Sequence, residues 1–201
     1  MLNRRTFLTR TAAVIPAGIA LQMLGERWAW AGAPPVGQAF SSDIDVLNYA
    51  LTLEYLEAAF YKQGNARVRL TGREAQFLSA IAADEQAHVD AITATIRKMG
   101  GSPVAAPGVD FGDAFKDRDH YLKLSHTFEN TGVQAYLGAA GSINSKDVLQ
   151  AAAGIYGVEA RHAAVVGHLL GLKADDGVFM GPMEKPKSTS DVMAAVKPFV
   201  K

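Results

Sequence analysis

Apolar residues recur at intervals of three and four along four long stretches of the chain, the period of a helix with one buried face. The first stretch carries Leu47, Leu51, Ala58 and Tyr61 and meets Gly64, a residue type that commonly ends helices, so a helix is predicted over about 43–63. Thr71-Gly72-Arg73-Glu74 has the form of a capping box, and behind it Leu78, Ile81, Ile92 and Ile96 hold register as far as Gly100-Gly101. Periodicity returns near Asp117 and lasts to about Ala140. After a turn at Gly141 to Asn144, a fourth stretch spans about 146–170 and stops at Gly171. Near the end, Ser190-Asp191 opens a short apolar helix, Val192 to Val200, expected to pack on the others as a lid or brace. Nowhere does the pattern alternate with the period of a strand.

The connections carry the topology. The first and third are short, so each joins an antiparallel hairpin. The second is about seventeen residues, rich in Pro, Gly and Ala, and an extended chain of that length exceeds the ~30 Å of a twenty-residue helix. It can cross the whole bundle and leave the second and third helices parallel. The predicted fold is all-α: a four-helix bundle with a long crossover between helices B and C of the A-to-D order, and a short C-terminal helix.

At 201 residues, 49% apolar, the chain is large enough to bury one full core. Twenty basic residues balance twenty acidic ones, so no concentrated basic face argues for a nucleic-acid partner. The absence of cysteine removes zinc-thiolate sites, iron–sulfur clusters and cysteine nucleophiles, leaving oxygen and imidazole as metal donors. At the N-terminus, Arg4-Arg5 precedes Phe7-Leu8, a weakly apolar run from Thr11 to Leu24, and small residues through Ala33. This layout resembles a cleavable twin-arginine export signal over residues 1–33, with cleavage after Ala31 or Ala33. The apolar run is about fourteen residues, short of the ~20 that span a bilayer, so no stable membrane anchor is expected after cleavage. The mature domain, 34–201, comprises the bundle (43–170) and a C-terminal extension (171–201). It would carry sixteen basic and nineteen acidic residues, and the expected location is periplasmic or extracellular.

Ionisable residues interrupt the apolar stripes. The first helix reads Leu47, Leu51, Glu54, Ala58, Tyr61; the second Leu78, Ile81, Glu85, His88, Ile92. The third reads Leu122, His126, Glu129, Val133, Tyr136, and the fourth Ile155, Glu159, His162, Val166. Glu85-x-x-His88 and Glu159-x-x-His162 are pairs three residues apart, on one helix face. Four buried carboxylates would repel one another and cost several kcal/mol each unless neutralised. Two divalent cations answer four negative charges, and two neutral imidazoles complete the donor set. The candidate metal ligands are Glu54, Glu85, His88, Glu129, Glu159 and His162, with Glu57 as a substitute for Glu54. Tyr61, Tyr136 and His126 are candidates for a supporting shell around them; Asp84 and Arg161 are expected on the surface or in an interhelical ion pair.

These motifs resemble the ferritin-like di-metal carboxylate family, which includes ferritins, bacterioferritins, rubrerythrins and manganese catalases, over residues 43–170. The run Leu47-Asn48-Tyr49-Ala50-Leu51-Thr52-Leu53-Glu54-Tyr55-Leu56-Glu57 and the apolar C-terminal helix look like the exported branch that includes desiccation-related proteins. The resemblance implies a ferritin-like bundle holding two divalent metal ions, iron or manganese. It also implies an oxidoreductase acting on Fe(II), O2 or hydrogen peroxide, in ferroxidase-like or catalase-like fashion. Its partners would be a metal ion and a small-molecule oxidant, with a homo-oligomer compatible. The alternatives are a non-catalytic metal-binding stress or desiccation protein of the envelope, and a bundle acting only by interaction.

Overall fold

Ser42 has an extended backbone and its hydroxyl accepts from the amide of Asp45 at 3.2 Å, which starts α1, Asp43–Arg67. The structure is a computed structural model and describes residues 40–201; the export signal expected over 1–33 lies outside the described residues. Helix α1 runs through Gly64 instead of ending there. A Cβ on Gly64 would stand 2.2 Å from the ring of Tyr121, so this glycine serves a close helix contact, and the helix continues one turn further.

Helix α2, Gly72–Lys98, also starts differently from its sequence signature. Thr71 makes no side-chain cap, and Glu74, the other half of the expected box, turns to Arg118, whose Nε donates to it at 2.8 Å. The positive φ of 57° at Gly72 suits a residue without Cβ. Asp117 caps α3, Arg118–Ala139, by accepting from His120 N at 2.9 Å, and Ser145 caps α4, Lys146–Leu169. Helix α5 is Thr189–Val196, capped by Ser188 at 3.1 Å instead of opening at Ser190. It gives way to a 3-10 turn, Lys197–Phe199, where Pro198 removes a donor. Among the described residues there are only isolated bridges and no strands.

Helix α1 packs along α2 and α3 along α4, and the two hairpins meet through α1 on α3 and α2 on α4. The starts of α1 and α4 and the ends of α2 and α3 gather at one end of the bundle, where Leu47, Ile92, Ala139 and Val148 line one cavity. Helices α2 and α3 therefore run parallel, and residues 99–117 cross the bundle between them. The crossover is fastened to α1 where Asn48 accepts from Val104 N at 2.9 Å, and to the C-terminus where Asp110 N donates to Phe199 O at 2.9 Å.

The opposite end is filled by aromatics. Phe60 has the ring centroids of Tyr61, Phe111, Phe115, Tyr121 and Phe128 at 5.0–5.4 Å. Each such pair adds about 0.5–1.5 kcal/mol beyond its area. Val192 and Val196 of α5 are buried in the same cluster, so the C-terminal helix braces this end.

Candidate metal centre

Between the two ends all four helices turn a carboxylate inward, and Glu54, Glu85, Glu129 and Glu159 are each 0% exposed. Helical register places them: Glu54, Glu85 and Glu159 follow Leu51, Ile81 and Ile155 by three or four positions, and Glu129 precedes Val133 by four, on the face that packs against the other hairpin. Two sets of donor atoms form, each within 4.8 Å: Glu54, Glu85, His88 and Glu159, and Glu85, Glu129, Glu159 and His162. Glu85 and Glu159 belong to both sets, one from each hairpin.

The contacts repeat about a pseudo-two-fold axis. His88 Nδ1 lies 3.2 Å from Glu54 Oε2, 3.2 Å from Glu85 Oε2 and 3.1 Å from Glu159 Oε1. His162 Nδ1 lies 2.9 Å from Glu85 Oε1 and 3.4 Å from Glu129 Oε2. Glu85 thus turns one oxygen to each histidine. The hydroxyl of Tyr61 donates to Glu129 Oε1, and that of Tyr136 to Glu54 Oε1. Each tyrosine holds the carboxylate of the other hairpin, leaving its second oxygen towards the centre.

The donor set fits a pair of divalent cations. Glu85 Oε1, Glu129 Oε2, both oxygens of Glu159 and His162 Nδ1 are buried without a hydrogen-bond partner. Such atoms are costly in a core. His162 Nδ1 and Glu85 Oε1 are 2.9 Å apart yet not aligned to bond, as expected of neighbours aimed at a common point. Adjacent ligands on a cation held at ~2.1 Å sit ~3 Å from one another, the spacing seen throughout the cluster.

As it stands the cluster neutralises itself with protons. Burial pushes Glu54 up to about 7, against the pull of His88. Burial, then repulsion from Glu159, Glu85 and Glu129, holds Glu57 well above the carboxylate range. Burial raises Glu159 and Glu129 in the same direction. Burial also works against Glu85, but the charged rings of His162 and His88 beside it outweigh it and bring its carboxyl down to about 2. For the histidines burial again opposes, and the facing carboxylates win. Glu159, Glu54 and Glu85 lift His88 to about 12, and Glu129 and Glu85 lift His162 to about 11.

The six residues expected as ligands therefore come together. Glu57 is buried nearby but enters neither donor set, whereas Glu54 enters one. His126 is not brought to the centre: its Nε2 faces the carbonyl of Gly177 at 3.0 Å. The segment after α4 passes so close there that a Cβ on Gly167 would stand 2.9 Å from that same oxygen.

Two contributions went unread in the sequence. Asp84 Oδ2 lies 3.2 Å from His162 Nε2, so it orients the ring from its outer side, an arrangement common around metal-bound histidines. It is an interhelical pair, made with the centre instead of the surface. Gly132 is the second. A Cβ there would lie 3.0 Å from Glu159 Oε2 and 3.4 Å from Glu57 Oε1, so the glycine makes room for two carboxylates. The signal was available: Gly132 follows Glu57 by 75 residues, the same interval that relates Glu54 to Glu129 and Tyr61 to Tyr136.

Fold and geometry together define a class, the helical bundle with a paired carboxylate–histidine centre in its core. The chain belongs to the ferritin-like domain family, whose model matches residues 42–172. Among solved structures, it is similar to a ferritin-like, diiron-carboxylate protein from Bacillus anthracis str. Ames, with a TM-score of 0.55 and 24% identity. The match covers 64% of this chain and 94% of that one, and at this identity it speaks for the fold alone. No curated protein matches significantly.

Proposed function

We propose that this centre holds two divalent metal ions, iron or manganese, and that the protein is an exported oxidoreductase acting on Fe(II), O2 or hydrogen peroxide. The observation that carries the reading is the convergence of buried, unpaired donor atoms from Glu85, Glu129, Glu159 and His162. Glu54 and His88 would serve one ion, Glu129 and His162 the other, with Glu85 and Glu159 shared. When bound, a redox-active pair supplies two electrons in one place, so that O2 with two protons leaves as H2O2 while two Fe(II) become Fe(III). Tyr61 and Tyr136 hold the terminal carboxylates in orientation, Asp84 fixes the His162 tautomer by accepting from Nε2, and the aromatic cluster keeps bulk water from that end of the bundle. Export is supported by Arg4-Arg5 and the apolar run behind them.

Metal analysis with turnover assays tests this. About two equivalents of iron or manganese per chain, with Fe(II) oxidation or peroxide consumption, are expected. Glu85→Gln weakens both positions and retains less than about one equivalent, whereas Glu54→Gln retains about one. Two equivalents without turnover would make the protein a metal-binding envelope protein, and none would refute the reading.

A further inference from the structure

The centre is built twice. Glu85 and His88 of α2 recur 74 residues later as Glu159 and His162 of α4, and Glu54 and Tyr61 of α1 recur 75 residues later as Glu129 and Tyr136 of α3. The repeat fails at two places that bear on the cluster. Glu57 answers to Gly132, beside the shared Glu159, and so singles out neither histidine. Asp84 answers to Val158, and this break falls behind one ring only.

Both rings turn Nδ1 to the carboxylates, which leaves Nε2 as the outer nitrogen. On His162 it is held by Asp84 Oδ2 at 3.2 Å. On His88 it has no partner among the described residues, yet it is not sealed in the core, so it faces water. The position that corresponds to Asp84 carries Val158, half-buried, whose side chain accepts no hydrogen bond. A carboxylate behind a ligating imidazole fixes its tautomer and orientation and makes the inner nitrogen a stronger donor, and losing it weakens metal binding about 10–100-fold. Water behind His88 supplies neither the charge nor the fixed direction.

We infer that Asp84, with Val158 in the corresponding place, sets the order in which the centre fills. The Glu129–His162 position takes the first divalent ion and keeps it, and the Glu54–His88 position takes the second about 10–100-fold more weakly and exchanges it. This rests on the metal reading above. The probe is Mn(II), added stepwise to the metal-free full chain and followed by electron paramagnetic resonance and by competition with a chelator. At one equivalent the spectrum should be that of isolated bound ions, and anomalous diffraction should place them at Glu129 and His162. Spin-coupled pairs should appear only towards two equivalents. Asp84→Asn should bring the two binding steps together by weakening the first, and Val158→Asp by tightening the second. Asp84 is exposed, so its variant carries the test if the one at Val158 folds poorly. A purely structural role would move both steps alike. Coupled pairs from the first addition, density appearing first at Glu54 and His88, or a folded variant of either kind with its steps still as far apart would overturn the loading order and leave the metal reading standing. A chain that binds neither Mn(II) nor Fe(II) sinks the metal reading and the order with it.

Discussion

Moving the metal-free protein from pH 4.5 to 7.5 removes protons that its fold prefers to keep. A carboxyl raised in the folded state stabilises it fully below its unfolded value, and that contribution is lost as pH rises through the folded one. For Glu54, ordinarily 4.5 and held at about 7 by burial, about 3 kcal/mol is withdrawn across this interval. Glu57, Glu129 and Glu159, raised likewise by burial, act in the same direction. His88 and His162, lifted to about 12 and 11 by the facing carboxylates, contribute fully below 6.5 and begin to fade above it. Glu85, brought down to about 2, contributes above 4.5 and is lost only as pH falls towards 2, outside the interval. At roughly 2–4 °C per kcal/mol for a chain of this size, Glu54 alone lowers the Tm of the metal-free protein by about 10 °C. Bound cations replace those protons, so metal affinity rises over the same interval and the metal-induced gain in Tm widens. The assay is thermal unfolding by circular dichroism at several pH values, with chelator and with Mn(II) or Fe(II). A metal-free Tm that is flat or rises from pH 4.5 to 7.5, or a metal-induced gain that does not grow, would refute the proton-filled cluster.

Two further substitutions probe what holds the centre. Asp84→Asn withdraws the carboxylate behind His162 and should weaken metal binding about 10–100-fold at one position, read by competition with a chelator, with little change in the metal-free Tm. Equal loss at both positions would mean that Asp84 acts on the fold and not on one ring. Gly64→Ala drives a Cβ to 2.2 Å from the Tyr121 ring, beside the 2.9 Å bond from its hydroxyl to Asn65, and should cost about 1–3 kcal/mol in chemical denaturation. Unchanged stability would show that α1 and α3 part there easily.

Helical periodicity is a local property, and for that reason the four long helices, their hairpin pairing and the parallel crossover were legible in the sequence. The same locality made the buried Glu and His residues legible, since a residue three or four places from Ile81 or Val166 shares its face whatever packs against it. Ends of elements were less so. Gly64 reads as a terminator until Tyr121 arrives from α3, and Glu74 reads as half of a capping box until Arg118 draws it away.

What only tertiary structure decided is which atoms meet across helices. Tyr61 lies two turns from Glu54 in sequence but bonds Glu129; Tyr136 makes the reciprocal crossing; Asp84 finds His162 and His126 does not join them. Such pairings depend on interhelical distance and rotation, which the summed packing of both hairpins sets and no single stripe encodes. The same packing fills one end of the bundle with aromatic rings and leaves a cavity at the other.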